Sequence, residues 1–193
     1  MGMLLLMLAL NFGVSWFNCW AVGRVWKDAR ALGGWPRILT WCGAIQAAIG
    51  FSSVIGFVIG ITLHSMGKLP PAVAQGAMSM WYLLIIVPAL STGLVILVES
   101  WRAAYRDRSL ANLGTAAYNT LAMAHNAYGA VDGIGKALAG VGELFEGKDE
   151  ESGKMGVMAV ALALAALAGG ILLAAHLINR YSSTAALPLP ARA

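Results

Sequence analysis

Asn11, Ser15 and Asn18 are amide and hydroxyl side chains in an otherwise apolar stretch. Their offsets of four and three place them on one face of a helix. Such a stripe can hydrogen-bond to a second helix, worth about 0.6–2 kcal/mol per contact, or line a polar path. Gln46, Gly50 and Ser53 repeat the same offsets further on, so the two faces are expected to meet. Gly56 and Gly60 form a small-xxx-small pair that permits close helix approach. These residues are candidates for helix packing or for lining a pore.

The remaining chemistry-bearing residues are sparse. His64 and His176 both fall near span ends read as outward-facing, but a third ligand is missing and no carboxylate is expected on that side. His125 lies far in sequence from any acid-rich ligand set. Cys19 and Cys42 flank one basic segment and give neither a disulfide framework nor a metal set; packing as small buried hydrophobes is expected. Glu99, next to Trp101 and Arg102, suits an interfacial ion pair. No Gly-rich loop ending in Gly-Lys-Ser/Thr, His-Glu-x-x-His helix or Gly-x-Ser-x-Gly elbow occurs in the chain. No enzyme activity, cofactor or metal site is expected.

The elements that carry these residues are apolar stretches at about 3–22, 38–63, 74–98 and 155–180. The uninterrupted runs Met3–Val22, Ile38–Leu63, Ala74–Val98 and Met155–Ile178 contain no Asp, Glu, Lys or Arg. A bilayer core about 30 Å thick needs about 20 apolar residues in a helix, and each run has that length. Hydrophobic residues make up 59% and charged residues 11% of the 193, against about 25% charged in soluble domains. The expected fold is therefore all-α: a polytopic integral membrane protein with four transmembrane helices. The first stretch lacks a positive n-region and exceeds the usual length of a signal core, so it is expected to remain as a span.

Residues 1–98 form a three-span region in this reading, 155–180 a fourth span, and 181–193 a loosely ordered outward-facing tail. Pro88 lies within the third span, where its missing donor predicts a kink, with Ser79, Ser91 and Thr92 available to satisfy freed carbonyls.

Residues 99–154 read as a cytoplasmic amphipathic helical extension between spans three and four. Ser109 suits a helix cap. Leu110, Ala117, Ala124, Val131, Leu138 and Phe145 recur every seven residues, with Leu113, Leu121, Tyr128, Ile134 and Val141 beside them. Leu110, Leu121, Tyr128, Val131, Leu138 and Phe145 are the docking candidates. Glycines at 129, 133, 135, 140 and 142 each cost about 1 kcal/mol relative to alanine, which predicts either a break near 133–135 or unusually close neighbours. Lys148, Asp149, Glu150, Glu151 and Lys154 suit a solvated turn.

Lys and Arg concentrate in 24–37 and 99–154, which places those segments in the cytoplasm and both termini outside. The formal charge of +4 comes without any Lys/Arg run, so nucleic acid is not an expected partner. Membrane lipids, other membrane subunits and copies of the chain are. The compact chain and short hairpins suit a bacterial inner membrane. The functional expectation is a non-catalytic helical subunit of a membrane assembly. An oligomeric pore and a membrane-active protein that inserts its amphipathic segment are the alternatives.

Overall fold

Apolar side chains run through most of every helix, so each must be covered by another helix or by lipid. In the computed structural model, which describes residues 2–145 and 150–184, five long helices satisfy this by packing side by side. They are α1 (Gly2–Leu32), α2 (Gly34–Ser65), α3 (Pro71–Arg106), α4 (Leu110–Phe145) and α5 (Glu150–Thr184). Among the described residues, α2, α3 and the Gly153–Ser183 part of α5 are long and apolar enough to cross a membrane.

The turns explain the alternation of direction. Gly33 alone separates α1 from α2, and it adopts φ 65°, a conformation that side chains with a Cβ rarely take. The charged segment 24–37 is thus helical on both sides of one residue, and the helices outrun the apolar spans expected from sequence. Gly67 (φ 65°) turns the chain after α2, and Pro70-Pro71 starts α3. At the start of α4 the Ser109 hydroxyl accepts the Asn112 backbone N–H at 3.3 Å.

α2 and α5 form the centre of the bundle, with α1 against both on one side and α3 against both on the other. One buried cluster joins Cys19 and Val22 of α1, Ala44, Ala47 and Phe51 of α2, and Ala174, Leu177 and Ile178 of α5. A smaller one joins Leu69, Val73 and Ala159 near the α2–α3 turn. α3 runs through Pro88 without interruption. Ser91 and Thr92 donate to the carbonyls of Val87 and Pro88, both at 2.6 Å, rather than to the Leu84 carbonyl that the proline leaves without its usual partner.

The sequence expectation set residues 99–154 apart from the membrane region. In the fold, α4 instead lies antiparallel along α3, touches α5 lightly and does not reach α1 or α2. Trp101 donates its indole N–H to Thr120 at 3.0 Å, Met123 faces Gly93, Tyr82 meets Gly129 and Gly133, and Gln75 and Ser79 meet Gly140. The contacts descend α3 as they ascend α4, so α4 ends beside the start of α3. Small residues allow this: Ala116, Ala130, Ala137 and Gly140 are all buried. α4 is one continuous helix, and close neighbours account for Gly133 and Gly140, whereas Gly129, Gly135 and Gly142 face open space.

A consequence is that α5 starts beside the α2–α3 turn and ends beside the end of α1. Met155 packs near Val73, while Tyr181 lies against Gly23. His64 and His176 therefore sit toward opposite ends of the bundle, not at similar depth. The sequence could not reveal this because the direction of α5 depends on where α4 lies. Residues 146–149, including Lys148 and Asp149 of the expected turn, and the tail beyond residue 184 fall outside the described residues, whereas Glu150, Glu151 and Lys154 belong to the start of α5 rather than to a turn.

Candidate functional site: a polar seam and an apolar cleft

The polar seam begins where α1 crosses α2. Asn11 donates its side-chain amide to Ser53 Oγ at 2.7 Å, and Ser53 donates to the Gly50 carbonyl at 2.9 Å. Ser15 donates to the Asn11 carbonyl at 2.8 Å and is buried. Gly50 makes the contact possible: a Cβ there would collide with the Ser15 hydroxyl. Asn18, one turn on, is half-buried. The structure thus brings Asn11, Ser15, Gly50 and Ser53 together; the Asn11–Ser53 bond crosses between the helices, while the Ser15 and Ser53 hydroxyls donate to carbonyls of their own helices.

Gln46 turns the other way. Its amide donates to the Ala89 carbonyl at 2.9 Å and to Thr92 Oγ1 at 2.6 Å, so it ties α2 to α3 one turn past Pro88. The four-and-three spacing of Gln46, Gly50 and Ser53 put them on one face, but that face spans the gap between α1 and α3, and each end of it found a different neighbour. Trp81 adds a bond that spacing did not suggest: its indole N–H donates to Ser52 Oγ at 2.9 Å, and Ser52 is fully buried. Gly170 of α5 sits directly on Ala48 and Ser52, where a Cβ would meet the Ser52 backbone nitrogen at 2.6 Å.

Gly56 and Gly60 do not act as one packing face. A Cβ on Gly56 would lie 3.2 Å from the Ala166 Cβ, whereas Gly60 has nothing within 4 Å. Gly60 lines a cleft of about 520 Å³ between α2 and α3, floored by Leu162, Ala163 and Ala166 of α5. Trp81 and Ser52 close its deep end, and His64 and Ser65 stand toward the α2–α3 turn.

At the opposite end, Glu99 accepts the Trp35 indole N–H at 2.6 Å. Arg102 lies 3.9 Å from the same carboxylate and stacks 4.8 Å above the Trp35 ring. This cluster staples the start of α2 to the end of α3. Cys19 points its thiol at the Ala174 carbonyl (3.8 Å), and Cys42 is buried outside that cluster; both are free thiols. No group of three or more His, Cys, Asp or Glu that could hold a metal ion occurs among the described residues.

Five of the docking candidates on α4 face away from α3. Leu110, Leu121, Tyr128, Val131 and Leu138 are exposed, and Phe145 ends the helix. Two seven-residue series therefore share α4: Ala116, Met123, Ala130 and Ala137 turn to α3, while Leu110, Ala117, Ala124, Val131 and Leu138 turn outward. Beside the outward series runs a polar stripe of exposed His125, Asp132, Lys136 and Glu143, in which Lys136 and Asp132 pair at 2.6 Å.

No protein-family model, curated protein sequence or solved structure matches this chain.

Proposed function

We propose that the chain is a non-catalytic, self-associating subunit of a membrane assembly, with α4 as its docking helix. What is plain is a helical, largely hydrophobic protein in which, among the described residues, three helices are long and apolar enough to cross a bilayer. The finer reading rests on one observation: the outward seven-residue series of α4 has no partner in the protomer. Lipid tails impose no period on a helix, but a neighbouring helix does. A seam in which small Ala117 and Ala124 lie between large Leu110 and Val131 suits a second helix approaching closely.

The side-by-side packing favours five crossings rather than four. α1 lies along α2 from Asn11–Ser53 to Trp26–Trp41, and α4 lies along α3 from Thr120 to Gly140. If α2 and α3 cross, their neighbours share the same depth. Arg24, Lys27, Arg30, Arg37, Arg102, Arg106, Arg108 and Arg180 then gather at one end, with Lys68 and Lys154 toward the other. That asymmetry orients the richer end to the cytoplasm, with the start of α1 outside and the end of α5 inside.

At bilayer depth the exposed Asp132 and Lys136 require cover, because a charge at the centre of a membrane helix costs about 2.5–3.5 kcal/mol or more. A second copy of α4 supplies it. A pore reading is favoured by the same stripe: water between copies would meet His125, Asp132 and Lys136, not Asn11, whose amide is engaged by Ser53 of α2, or Ser15, whose hydroxyl is buried against the Asn11 carbonyl of its own helix.

Disulfide trapping of Leu138→Cys in the membrane, with native mass after mild extraction, tests the docking role. Crosslinked pairs are expected at Leu138→Cys and not at Gly13→Cys on α1. A protomer-sized mass together with no trapping at any outward α4 position would refute self-association.

A further inference from the structure

We infer that the cleft between α2 and α3 binds one acyl chain of an anionic phospholipid, with the phosphate held at the α2–α3 turn. The cleft is lined by α2, α3 and α5, which among the described residues are apolar enough to cross a membrane, together with Leu8 of α1, so in a bilayer hydrocarbon would surround it. Its wall along α2 runs from Ser52 to Ser65, about 20 Å of helix at a rise of about 1.5 Å per residue. The shape is long and narrow, and its volume of about 520 Å³ falls within the ordinary range of ligand sites.

The polar groups on its walls decide the chemical class. Trp81 spends its N–H on Ser52, and Ser52 donates to the Ile49 carbonyl at 2.8 Å. Ser53 is engaged by Asn11 and Gly50, and Ser65 donates to the Thr62 carbonyl at 2.8 Å. No buried side-chain nitrogen or oxygen among the described residues lacks a partner. An occupant deep in the cleft therefore meets carbon and satisfied dipoles, which suits a hydrocarbon chain and disfavours a polar solute. The lip differs: His64 and Ser65 line it, and Lys68 follows in the exposed turn. A cation at the headgroup end of an apolar slot complements a phosphate. Gly60 keeps the slot open. With no neighbour within 4 Å, its missing side chain serves no helix contact in the protomer.

The site rests on α2, α3 and α5 crossing a bilayer. The test uses full-length protein in phosphatidylcholine–phosphatidylglycerol vesicles containing a phosphatidylglycerol with a photoactivatable diazirine at the end of one acyl chain. Adducts are expected to concentrate on Phe57, Met78 and Trp81. Gly60→Phe should reduce them about tenfold, the change expected from a loss of about 1.4 kcal/mol in binding. Gly13→Phe, which also adds a ring in open space, should leave them unchanged. Met78→Trp, at an exposed wall position, gives a second block should Gly60→Phe misfold. Adducts spread evenly over the outer faces, or undiminished by both blocking variants, overturn the proposal. Lys68→Gln should abolish the preference for labelled phosphatidylglycerol over labelled phosphatidylcholine; no preference in the unsubstituted protein overturns the phosphate contact. Adducts on no helix at all would refute the bilayer placement, and the cleft's occupant with it.

Discussion

Gly170 and Gly135 have the same side chain and opposite surroundings. At Gly170 the α5 backbone lies against Ala48 and Ser52 of α2, so any Cβ must push two helices apart. Gly170→Val is expected to destabilise the bundle by about 1–3 kcal/mol through overpacking, read as unfolding at a lower SDS fraction. Gly135 faces open space, and Gly135→Ala should stabilise by about 0.5–1 kcal/mol through helix propensity alone. Equal effects of the two substitutions would show that α5 stands further from α2 than its backbone contact with Ser52 requires. Sequence spacing identified both as glycines in helices but had no means of separating them. The discriminating information is which atoms lie across the gap, and that depends on residues more than a hundred positions away.

At the scale of elements, the apolar stretches were legible because a charge-free apolar run of about 20 residues matches the thickness of a bilayer core. The contact of Asn11 and Ser15 with Gly50 and Ser53 was legible as well, from matched offsets on consecutive helices. The placement of α4 was not. The Lys and Arg of segment 99–154 made it read as a cytoplasmic arm, while the seven-residue series that seats it, Ala116, Met123, Ala130 and Ala137, is made of small and flexible side chains that form only a weak apolar stripe. Trp81–Ser52 and Gln46–Thr92 were equally hidden, because which face of α3 meets α2 is set by tertiary packing. The revised placement predicts sidedness. Ser183→Cys should react with an impermeant thiol reagent from the same side as Arg37→Cys, and Ser65→Cys from the other. Reaction of Ser183→Cys and Ser65→Cys from one side would restore the arrangement with α4 outside the membrane.

For the molecule as a whole, four helices use their small and polar residues on one another, and α4 presents its second seam outward. Parallel copies would place Lys136 of one near Asp132 of the next, the reciprocal pattern of helix pairs with flanking charges. Lys136→Glu lines up like charges at 132, 136 and 143 and is expected to shift the extracted protein from oligomer to protomer in native mass measurements. The exchange Asp132→Lys with Lys136→Asp keeps opposite charges in register and should restore the oligomer. An assembly indifferent to Lys136→Glu would mean that this stripe meets nothing charged.

The antiparallel run of α1 to α5 leaves the start of its first helix and the finish of its last at opposite ends. An odd-numbered unit of this kind has an unusual property under gene duplication. If all five helices cross, as proposed above, two copies joined directly, α5 of one into α1 of the next, would enter the bilayer upside down relative to each other, the geometry of inverted repeats. Keeping both copies upright would demand one extra membrane-traversing segment in the linker.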